Sequence, residues 1–247
     1  MLELPSPAAP RFFIDLPLSS GAEVELPDRV VRHVAVLRLG IGDSLTLFNG
    51  AGGEHECALS RVAKNSARAR VIAWHALARE SGIEITLAQG LSASDRMDYA
   101  IQKATELGVR AILPIAAERS VVRLSEERAD RRLAHWRNVV AAACEQCGRN
   151  RLPEVHPVAT LGEFLCAAED GTQRLLLTPS GKVRLRELAP ADRVIVLIGP
   201  EGGLSEDEEV RALKADFTAV RFGPRVLRTE TAPLAAISAL QAMWGDV

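Results

Sequence analysis

The amino-acid sequence predicts an α/β protein with a mostly parallel sheet, preceded by a small β-rich domain. Short strand patterns fill the first 75 residues, whereas strands and helices alternate from Ile83 onward. The segment Arg193–Ile198 is nearly all apolar, which is typical of a central parallel strand. We therefore predict domains at 1–75 and 83–247, joined by a linker at 76–82.

The first domain combines five strand patterns with one helix pattern. The helix is predicted over Pro27–Leu39, where Val30, Val34 and Leu37 follow the helical spacing. Asn49-Gly50 is a strong turn signal between two strands. Several short strands with one helix predict a small barrel. The predicted strands are Arg11–Ile14, Glu23–Leu26, Ser44–Phe48, Glu54–Val62 and Ala67–Ala73.

The second domain shows five strand and four helix patterns in alternation. Gly108 and Gly148 stand just past two of the helices, where glycine commonly ends a helix. The predicted strands are Ile83–Leu87, Ala111–Ile115, Leu175–Leu177, Arg193–Ile198 and Phe217–Phe222. The predicted helices are Asp95–Leu107, Arg128–Cys147, Ser205–Leu213 and Pro233–Met243.

Composition excludes several classes of protein. The chain has 247 residues, 47% of them hydrophobic and 25% charged, which excludes a disordered or fibrous protein. Four cysteines in this length do not make a disulfide framework. Neither a signal peptide nor an apolar run of ~20 residues is present, so we expect a cytoplasmic protein with no membrane partner.

A glycine-rich loop follows the apolar strand and leads directly into a helix. Ser205 and Glu208 form a predicted capping box at the helix start. Glycines at the carboxyl end of a strand allow a ligand close to the backbone, although a tight turn also explains them. The spacing matches neither a phosphate loop nor a dinucleotide fingerprint. Four acids at 206–209 favour a neutral or cationic ligand over a pyrophosphate.

A second loop, Phe222–Ala232, carries arginines, an acid and two threonines. Arg225 and Arg228 are suited to a phosphate or a substrate carbonyl. Alternatively, Arg228 and Glu230 form only a surface ion pair. Thr229 or Thr231 is predicted to cap the last helix.

Cys144 and Cys147 form a Cys-x-x-Cys pair at the end of a helix, without the second pair that structural zinc usually needs. We interpret them as buried or half-buried helix residues, and we predict no metal site because the five histidines show no ligand spacing. Gln146, Arg149 and Arg151 are the more notable polar groups there. On the helix before Gly108, Lys103 and Glu106 fit a solvated i,i+3 pair.

Six segments, in order and over nearly the whole chain, resemble the RsmE-type bacterial 16S rRNA uracil-N3 methyltransferases of the SPOUT superfamily. One departure is Ser94-Asp95-Arg96, where the family usually has a more basic turn. The matching segments are Arg11–Phe13, His33–Arg38, Gln102–Val109, Ala142–Arg149, Leu197–Gly203 and Leu227–Ala232.

The resemblance implies a PUA-like RNA-binding β-barrel, then a SPOUT α/β domain with a C-terminal trefoil knot, in a homodimer. It implies that the knot binds S-adenosylmethionine (SAM), leaving S-adenosylhomocysteine as the product. A sulfonium cation fits the acidic surroundings. The implied cofactor-binding residues are Leu177, Thr178, Pro179, Ile198, Gly199, Pro200, Glu201, Gly202, Gly203, Phe222, Gly223, Val226, Leu227 and Thr229.

The implied reaction is methylation of N3 of uridine 1498 of 16S rRNA, with the assembled 30S ribosomal subunit as the expected substrate. Arg228 is the candidate catalytic cation near the uracil oxygens, and Glu230 is the candidate base or the group that orients Arg228. The expected RNA contacts are Arg11, His33, Arg38, Arg149, Arg151 and Arg225.

The net charge of −2 combines opposed segments. Residues 118–151 hold eight arginines against five acids, a balance of +3, whereas residues 201–216 hold six acids against two basic residues, a balance of −4. We expect the arginines on the RNA side and the acids behind the cofactor loop. Two alternatives stay open: an RNA-binding module without catalysis, and a nicotinamide-dependent oxidoreductase that uses the glycine loop.

Overall fold

The computed structural model describes residues 9–121, 125–167 and 171–247, which divide into two compact units. The first unit runs as far as Arg79 and also takes in Cys144–Leu152. The second unit consists of Glu80–Ala143 and Pro153–Val247. The boundary between Arg79 and Glu80 lies in the predicted linker at 76–82, whereas no sequence pattern predicted that Cys144–Leu152 belongs with the first unit.

The first unit is a mixed five-stranded sheet with one helix packed into it. The strand order is β1-β3-β4-β5-β2, in which β1 runs parallel to β3 and the other pairs are antiparallel. Each element lies where the sequence patterns predict it, within three residues at either end. The elements are β1 (Arg11–Phe13), β2 (Glu23–Glu25), α1 (Asp28–Val36), β3 (Ser44–Phe48), β4 (Glu54–Ala63) and β5 (Ser66–His75).

The core of the first unit follows from the strand and helix periods. Along β5, Ala67, Ala69 and Val71 are buried, while the residues between them point to solvent. Helix α1 buries Val30 and Val34 in the same apolar cluster. Alternate residues of the strand and one face of the helix therefore pack together in a single core.

A half-buried carboxylate, Glu54, binds two arginines of this unit. Glu54 accepts hydrogen bonds from the guanidinium groups of Arg11 and Arg79, the latter at 3.1 Å. Arg11 also donates to Asn150 Oδ1 at 2.7 Å and lies over the Phe48 ring at 5.1 Å from its centroid. Burial alone would raise the pKa of Glu54, but the hydrogen bonds and charges of the two arginines outweigh it, and the pKa is lowered.

The second unit is built on a parallel sheet with the order β12-β10-β11-β6-β7-β8, and β9 pairs with β7. This is the predicted α/β architecture. Among the described residues, no helix is long and apolar enough to cross a bilayer. The elements are β6 (Glu84–Gly90), α2 (Ser94–Glu106), β7 (Ala111–Ala116), α3 (Glu126–Cys147), β8 (Glu154–Val155), β9 (Ala159–Thr160), α4 (Leu161–Cys166), β10 (Gln173–Leu177), β11 (Arg193–Ile198), α5 (Glu206–Lys214), β12 (Thr218–Val220) and α6 (Thr231–Trp244).

The helix ends test the predicted caps. Ser205 and Glu208 form the predicted capping box of α5, with Glu208 N donating to Ser205 Oγ at 3.3 Å. The prediction that Thr229 or Thr231 caps α6 is wrong, because α6 begins after Glu230 and no side chain bonds its first amides. The short elements β8, β9 and α4 were not predicted, since two-residue strands and a six-residue helix leave almost no periodic pattern.

Strand β12 is held on both edges by one stretch of chain. On one edge it pairs with β10, and Thr178 N donates to Val220 O. On the other edge, Arg221 N donates to Val183 O at 2.9 Å. Since Thr178 and Val183 belong to the same connection between β10 and β11, β12 passes between two parts of that connection. This threading supports the trefoil knot, which itself stays a prediction.

We expect Glu54→Gln to lower the free energy of unfolding by about 1–2 kcal/mol at neutral pH, because the largely buried Arg11 loses its counter-charge and the exposed Arg79 loses an ion pair. A lowered folded-state pKa stabilises the fold fully above the ordinary value of 4.5, and this contribution disappears as the pH falls through the folded-state pKa. The difference between variant and wild type therefore shrinks in acid. Denaturant unfolding monitored between pH 3 and pH 7 measures it.

The matched control is Glu25→Gln, since Glu25 pairs with Arg68 at 3.6 Å on an exposed face. Its cost stays below about 0.5 kcal/mol at every pH. Equal effects of the two variants would contradict the role given to Glu54.

Candidate active site

The ends of three neighbouring strands, β10, β11 and β12, open into a cavity of about 270 Å³. This is where ligands bind in open α/β sheets. Gly202 and Gly223, both predicted to bind the cofactor, lie outside the lining. The predicted residues that do line the cavity are Leu177, Thr178, Pro179, Ile198, Gly199, Pro200, Glu201, Gly203, Phe222, Val226, Leu227 and Thr229.

The glycines of the loop after β11 serve the loop itself. A Cβ at Gly199 would lie 2.8 Å from the amide nitrogen of Leu204, so no other residue fits without a shift of backbone. Gly203 has φ +68°, a conformation that L side chains rarely adopt. Both the tight-turn and the ligand interpretations therefore hold: the glycines close the turn, and the closed turn lines the cavity.

Thr229 joins the two loops that surround the cavity. Its buried hydroxyl donates to Gly199 O at 2.9 Å and accepts from Gln89 Nε2 at 3.0 Å. Gln89 is the second-last residue of β6, a neighbouring strand in the sheet. Thr229 is thus a fixed point between three segments rather than a helix cap.

Two carboxylates line the cavity. Glu201 Oε1 accepts from Ala93 N at 2.9 Å and from Arg96 Nη1 at 3.2 Å, whereas its Oε2 is buried without a partner among the described residues. Glu209 accepts from Thr178 Oγ1 at 2.7 Å and from Ser180 Oγ at 3.1 Å. Sequence reasoning placed Glu209 in the acidic helix start but did not predict its place in the lining. These two carboxylates can accept hydrogen bonds from a positively charged group of a ligand.

Arginines approach the same cavity from the loop that follows β12. Arg221, Arg225 and Arg228 line it, and their guanidinium groups are exposed with no hydrogen bond or ion pair to the described residues. The alternative that Arg228 and Glu230 only pair on the surface is therefore wrong for this structure. Glu230 lies outside the lining, half-buried, and its Oε2 is buried without a partner among the described residues.

The other residues predicted to contact RNA differ in how exposed their side chains are. His33 and Arg38 are exposed, and Arg38 has φ +57°, an uncommon conformation for a residue other than glycine. Arg151 is exposed but its guanidinium lies against Gly52. Arg11 and Arg149 are buried or nearly so, and Arg11 is held by Glu54 and Asn150. Arg11 is thus occupied within the first unit, and burial leaves little of Arg149 accessible; their contacts with RNA stay predictions.

Two further groups take the structural roles that their patterns favoured. Cys144 is buried and Cys147 half-buried, and Cys144 Sγ lies 3.7 Å from Arg151 O as a weak donor. Lys103 bonds Glu106 at 2.7 Å along one face of α2. Within the described ranges, no cluster of three or more metal-ligating side chains occurs.

Comparison with known proteins matches each unit to a family model. Residues 79–241 match an RNA methyltransferase domain, and residues 26–72 match an RNA methyltransferase PUA domain. A relative from Bacillus subtilis, ribosomal RNA small subunit methyltransferase E, is 32% identical over 243 residues, which cover 93% of this chain and 95% of the relative.

Solved structures match the fold over the same length. Ribosomal RNA small subunit methyltransferase E from Neisseria gonorrhoeae, bound to SAM, is 43% identical, with a TM-score of 0.91 over 96% of this chain and 99% of that chain. A methyltransferase structure from Legionella pneumophila with bound SAM is 37% identical, with a TM-score of 0.93 over 97% and 99%. The chain belongs to the RNA methyltransferase family that contains the ribosomal RNA small subunit methyltransferases E.

Proposed function

We propose that this protein transfers the methyl group of SAM to N3 of one uridine in 16S rRNA. One observation carries the proposal: the glycine loop after β11 and the arginine loop after β12 line a single cavity. A site for a cationic cofactor and unpaired cations for an anionic substrate thus share one place. The family membership and the SAM-bound relatives support it. An oxidoreductase or a purely binding module finds no such support.

The residues of the cavity fit SAM. Leu177, Ile198 and Leu227 offer an apolar surface to an adenine ring, while the loop from Gly199 to Gly203 offers backbone amides and carbonyls to its edge. The unpartnered Oε2 of Glu201 is an acceptor for an ammonium group. When bound, SAM supplies an electrophilic methyl group.

Arg228 is the group that makes the uracil nucleophilic. N3 attacks as its proton leaves, and negative charge then spreads onto O2 and O4. A guanidinium beside one of these oxygens stabilises that charge as it develops. Arg228 is free to do so because its guanidinium holds no other acceptor among the described residues.

Glu230 has two roles open to it, as the base that accepts the N3 proton or as the residue that orients Arg228. Its buried Oε2 lacks a donor among the described residues, so it can take up a proton or a hydrogen bond. Its position outside the cavity lining favours the orienting role.

The wider setting belongs to the same proposal: an assembled small subunit in the cytoplasm as substrate, RNA contacts through His33, Arg38, Arg151 and Arg225, and a homodimer. The family membership supports the dimer. Sedimentation equilibrium checks the dimer, and a mass of 26.6 kDa would refute it.

The decisive experiment incubates the protein with SAM and small subunits that lack the modification. We expect a new reverse-transcription stop at one uridine, because a methyl group on N3 blocks base pairing. We also expect binding of S-adenosylhomocysteine and no binding of NAD in calorimetric titrations. A stop no stronger than in the sample without enzyme would refute the proposed function.

In this assay, we expect Arg228→Ala to slow methyl transfer at saturating RNA by about 10²–10³-fold, the usual loss when one charge-stabilising donor is removed. Affinity for S-adenosylhomocysteine should change little, because the guanidinium acts on the uracil. Single-turnover rates and calorimetry give the two quantities. A full rate in Arg228→Ala would refute the role of Arg228.

Combining Arg228→Ala with Glu230→Gln distinguishes the two roles of Glu230. If Glu230 only orients Arg228, the double variant is as slow as Arg228→Ala alone. If Glu230 is the base, the second substitution slows the reaction further. Thermal unfolding of each variant confirms that the fold is intact.

We expect Thr229→Val to weaken S-adenosylhomocysteine binding at least about tenfold. The substitution keeps the shape of the side chain but leaves Gly199 O and Gln89 Nε2 without this buried partner, a loss of about 1–3 kcal/mol. The loop after β11 then loses its attachment to the loop after β12. Calorimetric titration measures the affinity.

Thr231→Val is the matched control, because Thr231 is exposed and its hydroxyl makes no hydrogen bond among the described residues. Its affinity and stability should equal those of the wild type within about 0.5 kcal/mol. If both valine variants bind equally well, Thr229 does not fix the loops.

A further inference from the structure

A second cavity, of about 510 Å³, lies beside the cofactor cavity in the second unit. Three segments surround it: the connection between β10 and β11, the loop after β12, and the end of α6. It shares Arg221 and Phe222 with the cofactor cavity. None of the residues assigned above to RNA contacts lines it.

Three arginines line this second cavity: Arg184, Arg186 and Arg221. All three are exposed, and none of their guanidinium groups has an acceptor among the described residues. The neighbouring acid, Glu187, is occupied by the backbone amide of Arg184 at 3.0 Å. Three arginines against one neighbouring acid leave a surplus of positive charge here.

Other arginines of the same unit behave differently. Arg96 is paired with Glu201, Arg119 donates to Leu204 O at 3.2 Å, and Arg174 donates to Ala215 O at 2.9 Å. These three arginines bind the protein's own acceptors, unlike the three that line the second cavity. Guanidinium groups left free in one concave place indicate an acceptor from outside.

The chemistry of the second cavity favours phosphate. A guanidinium presents a fork of donors that matches two oxygens of a phosphate, and such charge-assisted pairs are among the stronger hydrogen bonds. Leu185, Phe222 and Met243 give the cavity an apolar part, where a charge pair is less screened than in open water.

The position of the cavity favours a nucleic-acid phosphate over a free anion. Arg225 and Arg228 line the cofactor cavity, Arg221 lines both, and Arg184 and Arg186 continue into the second. Five arginines without partners among the described residues thus line two cavities that share Arg221 and Phe222. Several phosphates of one strand match this set better than one small anion does.

We propose that Arg184, Arg186 and Arg221 form a phosphate-binding subsite for the RNA strand next to the target uridine. The subsite rests on the proposed function, since it takes the backbone of the same substrate. Arg184 and Arg186 hold the phosphates, and Arg221 lies where the strand leaves the cofactor cavity. The contacts position the strand without reading its bases.

The test compares the double variant Arg184→Ala/Arg186→Ala with Arg110→Ala. Arg110 is an exposed arginine near Glu84 at the opposite ends of the strands, so it matches the charge change of one substitution. Binding of unmodified small subunits is measured by filter retention between 50 and 200 mM salt, with S-adenosylhomocysteine present. Arg221 is left unchanged because it also lines the cofactor cavity.

We expect the double variant to bind RNA at least about tenfold more weakly at low salt. The slope of log K against log salt should fall by about 1.4, since each lost phosphate contact on a single strand removes about 0.7. Arg110→Ala should keep the wild-type slope. Arg184→Lys/Arg186→Lys should recover most of the slope, because it retains the charges, and a merely structural role would not produce this salt dependence.

Three results would overturn the subsite: a wild-type salt slope in the double alanine variant, weakened S-adenosylhomocysteine binding in place of weakened RNA binding, or a changed mass in sedimentation equilibrium. The second would assign the cavity to the cofactor and the third to a subunit contact. If any of these results is found while the wild-type protein still methylates small subunits, the subsite is refuted but the proposed function is not.

Discussion

The site depends on one buried hydroxyl. Thr229 Oγ1 donates to the backbone of the glycine loop and accepts from Gln89 on β6, so three distant segments meet at one atom. Arg228 precedes this atom and α6 begins two residues after it. Thr229 therefore helps to position Arg228, to close the cofactor cavity and to fix the start of α6.

Acidic and basic side chains of the second unit suit two different ligands. Carboxylates and arginines both line the cofactor cavity: Glu209 is held by Thr178 and Ser180, whereas the arginines of the loop after β12 lack partners among the described residues. A cationic cofactor requires acidic groups and a polyanionic substrate requires basic groups, and neighbouring segments of the chain supply each. The net charge of −2 reflects this division rather than a lack of affinity for RNA.

Periodicity and turn chemistry predicted most of the fold. The strand at Arg193–Ile198 and the capping box of Ser205 were correct to the residue. What sequence alone missed depends on long-range contacts. Arg11 reads as a free cation until Glu54 and Asn150 are seen around it, and Thr229 reads as a helix cap until Gly199 O is found beside its hydroxyl. Such partners lie 30 to 139 residues away in the chain.

The threading of β12 also limits how the arginine loop that follows it can move. The loop is fixed at its start, where Arg221 N bonds Val183 O, and at its end, where Thr229 bonds Gly199 O. Only seven residues, 222–228, lie between these two hydrogen-bonded positions. Seven residues are too few for a long hinged lid, so we expect exchange of cofactor and product to involve small displacements of this short span.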